Sequence, residues 1–370
     1  MTLSAHTKVG VAELIADLQS LGLRLEGSEV GITGRRGGAG PSDHKAVNLS
    51  GRTVMIPIAT VSACESPFVA SRPDVNGISE IRRDGAVVSH VQFPRQPRFY
   101  DLQTVDGIPY SQIATLHSSD VLATTLLQSC IRFGNRKTSC QFCAIGQSLA
   151  AGKTILRKTP EQLAEVAKAA VELDQVKHMV MTTGTPNLTD RGAAMLCESA
   201  EAVKTAVDLP IQGQCEPPDD NIWFERMKAY GIDSLGMHLE AVTPAVRERI
   251  MPGKASVPLD RYMDAFDAAV AVFGRGQVST YILAGLGDTP EAILSMSEQL
   301  IAKGVYPFVV PFVPISGTPL QNHPAPTPAF MAKILPPLGA MLKQANLLSQ
   351  NMKAGCAKCA ACSALASYEV

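Results

Sequence analysis

The chain has 370 residues, of which 46% are hydrophobic and 18% are charged, a composition typical of a soluble α/β protein with a sizeable core. Its 33 basic and 34 acidic side chains give a formal net charge of −1, which argues against nucleic acid or an anionic membrane surface as a partner. No apolar stretch approaches the roughly 20 residues of a membrane span. The first residues, MTLSAHTKVGVAEL, lack the pattern of a signal peptide. We therefore expect a cytoplasmic protein.

A small N-terminal α+β region is predicted over residues 1–115. An amphipathic helix is indicated by apolar residues at helical spacing between Val11 and Leu21, with Gly22 as its stop. The glycine-rich basic loop from Arg35 to His44 follows; its arginines could approach an anionic group, or the loop could be an exposed linker. Between about 50 and 115, short β-rich runs separated by Pro, Gly and Asp predict a small sheet.

A barrel is predicted over residues 116–325. Six apolar runs each precede a helical segment: TTLLQSC, KHMVMTT, PIQGQC, DSLGMHL, QVSTYILAG and VYPFVVPFV. The helices are expected near 160–173, 189–206, 220–229, 243–250 with 258–273, 289–303 and 326–349. This alternation predicts parallel strands, because a parallel connection needs a crossover of about a dozen residues. The fold class is α/β, a partial (β/α)6 or full TIM-like barrel whose chemistry collects at the carboxyl ends of the strands.

Cysteine spacing is the most informative pattern. Six of the nine cysteines form two tight triplets, Cys130/Cys140/Cys143 and Cys356/Cys359/Cys362. A reducing compartment disfavours disulfides, so this clustering indicates metal binding. The remaining Cys64 and Cys197 carry no signal, whereas Cys215 follows the third strand and is either a ligand of an additional site or a buried apolar thiol.

The first triplet lies on one loop, directly after the first barrel strand. Three thiolates could bind three irons of a cubane and leave the fourth iron open for a chelating substrate. A structural zinc ion is the alternative, with His178 or Cys215 as the fourth ligand.

This loop resembles the cluster-binding signature of the radical S-adenosylmethionine (SAM) superfamily, with Phe142 as the aromatic residue before the third cysteine. The superfamily usually has three residues between its first two cysteines, and this chain has nine. The resemblance implies a radical SAM barrel in which Cys130, Cys140 and Cys143 hold a [4Fe-4S] cluster that binds SAM.

Further segments resemble SAM-binding parts of the superfamily in the expected order. Thr183, Gly184 and Thr185, with Pro186, resemble a Gly-Gly-Glu-Pro segment that meets the SAM amino group, with Thr185 in place of the glutamate. The segment Gly236–Glu240 resembles the fourth strand of lipoyl and biotin synthases, in which an acidic residue holds the ribose. Gly285 and Gly287 resemble the adenine-supporting fifth strand, and 311–320 looks like the sixth-strand end of biotin synthase.

Three of these cofactor-binding candidates have simpler interpretations. Glu240 either holds the ribose hydroxyls or forms a salt bridge at the barrel rim. His238 is either a substrate contact or a hydrogen-bonded core histidine. Arg249 either pairs with the SAM carboxylate or is a helix-surface charge.

The second triplet lies in the region 326–370, which is predicted to be a helix followed by a cysteine-rich tail. Cys356, Cys359 and Cys362 resemble three consecutive ligands of a ferredoxin-type cluster, which implies an auxiliary [4Fe-4S] cluster that orders the tail. A zinc site with a distant fourth ligand and a tail without metal are the alternatives.

Over nearly its whole length, the chain resembles a radical SAM group encoded beside a nitrilase in bacterial cyanide-assimilation gene clusters. The resemblance implies hydrogen abstraction from a small, nitrile-related molecule by a 5′-deoxyadenosyl radical, with flavodoxin or ferredoxin as reductant. The alternatives are a sulfur-inserting enzyme like biotin or lipoyl synthase, and a non-catalytic iron–sulfur or zinc electron carrier. Against sulfur insertion, two expected biotin-synthase cluster ligands fall near Met181 and at Ser279.

Overall fold

The computed structural model describes residues 5–27 and 43–370. The predicted basic loop from residue 35 onward lies outside these residues except for Asp43 and His44 at its end. Two sheets organise the described chain, one of six strands and one of seven. Among the described helices, none combines the length and the apolar character that crossing a bilayer requires.

The first sheet is mainly antiparallel and has the order β1-β4-β5-β6-β2-β3. Its strands are β1 (Arg24–Leu25), β2 (His44–Leu49), β3 (Arg52–Pro57), β4 (Phe68–Ala70), β5 (Ile78–Arg83) and β6 (Ala86–Gln92). Helix α1 (Ala5–Leu21) packs against it through Ile15 and Leu18, which are buried in the main core. The predicted N-terminal helix and small sheet are therefore present.

The second sheet contains six parallel strands in sequence order, bordered by one short antiparallel strand. Its strands are β7 (Thr115–Leu116), β8 (Val121–Thr125), β9 (His178–Thr182), β10 (Ile211–Gln214), β11 (Ser234–Gly236), β12 (Val278–Ala284) and β13 (Val305–Pro311). Strands β7 and β13 are at the two edges and do not pair with each other. The fold is therefore a partial barrel of six parallel strands.

Helices follow the parallel strands as predicted. The short helices of the first part are α2 (Val61–Cys64) and α3 (Tyr110–Ile113). The barrel helices are α4 (Ile145–Ala150), α5 (Pro160–Asp174), α6 (Ala193–Ala206), α7 (Ile222–Ala229), α8 (Pro244–Ile250), α9 (Pro252–Ala255), α10 (Leu259–Phe273) and α11 (Pro290–Lys303). Helix α5 begins with a complete capping box, in which Thr159 and Gln162 bond each other's backbone.

The single helix predicted near 326–349 was wrong. The chain forms α12 (Pro328–Ala332) and α13 (Leu335–Gln344), followed by a 3₁₀ turn at Ser349–Asn351. Pro336 and Pro337 occupy the first turn of α13, where a missing N–H costs nothing, and they prevent α12 from continuing through them.

Protein contacts hold the C-terminal tail in place. Helix α14 (Cys356–Cys359) and the 3₁₀ turn Leu365–Ser367 complete the chain. The Ala361 carbonyl accepts hydrogen bonds from the Met55 backbone at 2.8 Å and from the Gln19 side chain at 3.0 Å. Near the end, the buried Glu369 carboxylate accepts from the Tyr306 hydroxyl and from Ser349.

We predict opposite effects from adding one methyl group at two helical glycines. A Cβ on Gly339 would lie 2.5 Å from the Tyr368 Cβ and carbonyl oxygen, whereas a Cβ on Gly10 would meet nothing within 4 Å. Gly339→Ala should lower the free energy of unfolding by about 1–3 kcal/mol through overpacking. Gly10→Ala should raise it by about 0.5–1 kcal/mol through helix propensity. Urea unfolding of both variants tests this, and equal effects would contradict the tail packing.

Candidate active site at the carboxyl ends of the strands

The candidate residues lie on loops that leave the carboxyl ends of neighbouring parallel strands. The first cysteine triplet follows β8, the segment 183–186 follows β9, and the residues from 285 to 288 follow β12. Because these ends are aligned in a parallel sheet, their loops meet at one edge. The fold therefore brings together segments that are distant in sequence, from residue 130 to residue 288.

The nine residues between Cys130 and Cys140 fold back on themselves. The Thr138 and Ser139 hydroxyls both donate to the Arg132 carbonyl at 2.9 Å, and the Ser139 backbone N–H donates to the Asn135 carbonyl at 2.8 Å. The Cys143 thiol lies close enough to those of Cys130 and Cys140 for their charges to interact. The long spacing is thus a closed loop between the first two cysteines.

Burial keeps two of these thiols protonated in the absence of a ligand. It raises the pKa of Cys140 to about 12, and the pKa of Cys143 to about 11. A bound metal would lower the pKa of both thiols, because a coordinated thiol gives up its proton.

Phe142 anchors the loop to a small apolar cluster. This cluster contains Met251, Leu286, Phe312 and three further buried residues of the neighbouring loops, and both Cys140 and Phe142 pack against it. The aromatic residue before the third cysteine therefore has a packing function beside the loops that follow β11 and β12.

Gly184 allows the loops after β8 and β9 to touch. Its backbone N–H donates to the Leu127 carbonyl at 3.1 Å, and a Cβ at this position would lie 1.9 Å from the Ser129 carbonyl oxygen. The Thr185 carbonyl in turn accepts from the Ile131 N–H at 3.0 Å. Any side chain at residue 184 would push the segment 183–186 away from the cysteine loop.

A buried carboxylate that the sequence reading missed lies directly behind this segment. Glu216 follows β10, and its Oε1 accepts a hydrogen bond of 2.7 Å from the Thr185 hydroxyl. Its Oε2 lies 3.0 Å from the Arg132 Nη2. The structure thus places a buried carboxylate beside Thr185.

Arg132 is a buried cation with unused donors. Its side chain is 7% exposed, and its Nε and Nη1 have no hydrogen-bond partner among residues 5–27 and 43–370. Unpaired buried N–H groups are costly, so such donors indicate a place for a ligand with acceptor atoms.

Glu240 forms the rim salt bridge that the sequence analysis gave as its simpler interpretation. Its Oε1 lies 3.1 Å from the Nζ of Lys254, and both side chains are largely buried. Burial alone would lower the pKa of Lys254, but the charges of Glu240 and its neighbours raise that pKa above its ordinary value, so the ammonium stays charged. Lys254 was not predicted, because a lysine in the short helix α9 carries no recognisable spacing.

His238 is a hydrogen-bonded histidine of the barrel interior. Its Nδ1 accepts from the Tyr281 backbone N–H at 3.2 Å, and its ring packs edge-to-face on the Tyr281 ring with the centroids 4.9 Å apart. Burial lowers the pKa of His238 to about 4. The neutral imidazole therefore keeps its proton on Nε2.

Arg249 reaches the glycine segment after β12. Its Nη2 donates to the Leu286 carbonyl at 2.9 Å and lies 2.2 Å from where a Cβ on Gly287 would be. Gly285 and Gly287 both have positive φ angles, +110° and +129°, which favour glycine. Asp288 accepts from the backbone of Val242 at 2.8 Å and so ties this segment to the loop after β11.

The arrangement fits the cluster and the SAM that the fold implies. Three adjacent thiols offer soft ligands for iron, and the unpaired nitrogens of Arg132 offer donors for an anionic group. Over the described ranges, no three His, Cys, Asp or Glu side chains are spaced to hold one metal ion. A cubane takes each thiolate on a different iron and so needs wider spacing than a single zinc ion does. His178, a suggested fourth zinc ligand, lies at the opposite end of β9.

The second cysteine triplet lies at the amino ends of the same strands. The Gly355 N–H donates to Nδ1 of His178, the first residue of β9, at 3.3 Å, and the Cys356 N–H donates to Oε1 of Gln212 in β10 at 3.1 Å. The intervening strands have four or five residues, roughly 13–17 Å at ~3.3 Å per residue. The two triplets therefore occupy opposite ends of one barrel.

Cys215 belongs to neither triplet. It is buried in the main core, and the charges acting on it come from Glu216, Asp190, Cys197 and Arg191. Burial raises its pKa. This is the environment of the apolar buried thiol that the sequence analysis gave as one interpretation.

A separate cavity of about 1490 Å³ opens between the first sheet and the β7–β8 edge of the barrel. Its described lining includes Lys45, Arg95, Lys153 and Lys158, and none of the cysteines of either triplet. This cavity therefore lies apart from both cysteine triplets.

Part of the chain is similar to known proteins. Residues 129–300 match the family model of the radical SAM superfamily. The chain is 28% identical over 240 residues to bacteriochlorophyllide c C-7(1)-hydroxylase of Chlorobaculum limnaeum, an alignment that covers 60% of this chain and 59% of that protein. The chain thus spans about three fifths of the length of this curated relative.

Two solved structures align with the chain at low identity. Methylornithine synthase aligns with a TM-score of 0.47 and 17% identity, covering 73% of this chain and 79% of that one. A radical SAM methyltransferase from Sphaerobacter thermophilus aligns with a TM-score of 0.46 and 13% identity, covering 81% of each chain. The chain is therefore an enzyme whose residues 129–300 resemble the radical SAM superfamily.

Proposed function

We propose that this enzyme binds a [4Fe-4S] cluster through Cys130, Cys140 and Cys143, and cleaves SAM reductively to abstract hydrogen from a small molecule. The observation that carries the proposal is that these thiols share one edge of the barrel with the buried charges of Arg132, Glu216, Glu240 and Lys254. An electron carrier would have no need for this arrangement around a site with an open iron.

The charges match the groups of SAM. The amino-acid end of SAM carries an ammonium and a carboxylate, and Glu216 beside Thr185 provides an acceptor for the former. The free Nε and Nη1 of Arg132 provide donors for the latter. We infer that Glu216 replaces the glutamate that Thr185 displaces in the family segment.

The adenosine end of SAM would lie along the loops after β11 and β12. Glu240 can accept two ribose hydroxyl groups, and its salt bridge with Lys254 holds the carboxylate in place. Gly285 and Gly287 leave room for a flat ring because they lack side chains, and the apolar cluster beside Phe142 would contact that ring.

When bound, the reduced cluster supplies the electron that splits SAM into methionine and a 5′-deoxyadenosyl radical. The residues of this chain hold SAM in place and exclude water from the radical, as is general for cofactor enzymes. We propose flavodoxin or ferredoxin as the electron source. The bacteriochlorophyllide relative and the nitrilase-associated group both favour a small organic substrate, and we propose a nitrile-related one.

We further propose that Cys356, Cys359 and Cys362 hold a second iron–sulfur cluster at the amino ends of the strands. Their soft ligand set and their enclosure by β9, β10 and β12 favour it. Such a cluster could anchor the substrate, conduct electrons or donate sulfur.

Replacing one cysteine of the first triplet should abolish SAM cleavage. We expect Cys140→Ala to give no 5′-deoxyadenosine when the reconstituted protein is incubated with dithionite and SAM, because one iron loses its ligand. Chromatographic detection of 5′-deoxyadenosine measures this. The control Cys64→Ala removes an exposed thiol and should retain wild-type product. Iron uptake without any 5′-deoxyadenosine from the wild-type protein would instead favour an electron carrier.

Removing the charge of Glu216 should weaken SAM binding. Glu216→Gln keeps the shape but replaces a charge-assisted hydrogen bond, so KM for SAM should rise about 10- to 100-fold. Steady-state formation of 5′-deoxyadenosine provides the measurement, with the exposed Glu248→Gln as the matched control. An unchanged KM would show that Glu216 only supports Arg132.

The product distinguishes hydrogen abstraction from sulfur insertion. We expect 5′-deoxyadenosine to form without loss of acid-labile sulfide from the protein, because no sulfur is transferred. Sulfide assays before and after turnover test this, and one sulfide lost per product would favour the sulfur-inserting alternative. Metabolite comparison of a deletion strain grown with a nitrile would identify the substrate.

A further inference from the structure

We propose that His117 is the fourth protein ligand of the metal site at the C-terminal cysteines, and that this site is a two-iron cluster. The inference rests on the second cluster of the proposed function and makes it more specific. Cysteine spacing alone favours a four-iron cluster. The side chains around the tail favour a two-iron cluster instead.

The position of the imidazole carries the proposal. The Nε2 of His117 lies 3.5 Å from the Sγ of Cys362, although the two residues are 245 positions apart. Metal–sulfur and metal–nitrogen bonds of about 2.3 and 2.0–2.1 Å at a tetrahedral angle separate the two ligand atoms by about 3.6 Å. The two side chains are therefore spaced as ligands of the same metal atom.

Two protein ligands on one iron indicate a two-iron cluster. In a cubane each iron takes one protein ligand, whereas each iron of a [2Fe-2S] cluster takes two, and imidazole is an accepted ligand in such clusters. Cys356 and Cys359 begin and end one turn of α14, so they lie on the same face of that turn and form the second pair. No three candidate ligands of the described chain surround one point, which argues against a single zinc ion.

The surroundings are built to hold such a group. His117 is 8% exposed, and its backbone N–H donates to the Val121 carbonyl at 2.9 Å, so the β7–β8 hairpin fixes its place. The Gln214 Nε2 donates to the Cys356 Sγ at 3.1 Å, as amide groups do to cluster-bound sulfur. Gly355 permits this close approach, because a Cβ there would lie 2.3 Å from the Gln212 side chain.

The test uses the full chain without the first cluster. The triple variant Cys130→Ala, Cys140→Ala, Cys143→Ala should bind about two irons and two sulfides per chain after anaerobic reconstitution, the content of a two-iron site. Pulsed electron paramagnetic resonance of the reduced cluster should show coupling to an imidazole nitrogen. In this background, His117→Cys should keep the iron and lose the coupling, whereas the exposed His90→Ala should change neither.

Each alternative result overturns a defined part of the proposal. Four irons per chain would exclude the two-iron form, and nitrogen coupling that survives His117→Cys would exclude His117. Zinc in place of iron, or a folded triple variant without iron, would remove the second cluster altogether. SAM cleavage is measured separately on the chain with its first triplet intact. A negative result for the His117 ligand would therefore not contradict the proposed radical SAM activity. Mössbauer spectra of the wild-type protein would distinguish iron in two-iron clusters from iron in four-iron clusters without any substitution.

Discussion

The hydrogen-bonded register between neighbouring parallel strands is the constraint on which the rest of this structure depends. Val121 in β8 pairs with His178 in β9, and Met179 pairs with Ile211 in β10, so these three strands begin and end at nearly the same level. The loops that follow the carboxyl ends of the strands therefore lie together at one end of the sheet. The segments next to the amino ends lie together at the other end. A shift of one residue in any pair would turn the side chains of that strand to the other face and dismantle both thiol sites.

Two buried ion pairs lie beside the first cysteine triplet, where we propose that a charged cofactor binds. Arg132 with Glu216 and Lys254 with Glu240 each lie about 3 Å apart in a region largely shielded from water. Isolated buried charges are expensive, so each of these charges is compensated by its oppositely charged partner. Because these groups are already oriented, the proposed site would need little reorganisation to bind SAM.

Sequence patterns predicted the parallel strands, their helices and the order of the loops, because strand and helix periodicities are local signals. They missed Arg132, Glu216 and Lys254, whose importance arises only when distant loops meet at one edge. The position of the tail at the amino ends of the strands had no sequence signal either, since it depends on Gly355 fitting against Gln212. The predicted long final helix failed because helical periodicity was given more weight than adjacent prolines.

The hydrogen bond from Met55 to Ala361 has a consequence for how the molecule behaves in solution. Strand β3 is the outermost strand of the first sheet, and the tail covers part of its free side at this bond. An uncovered strand edge is a template for pairing with another chain. The segment that carries the second set of thiols therefore also shields the protein from edge-to-edge aggregation, which couples the packing of the tail to colloidal solubility.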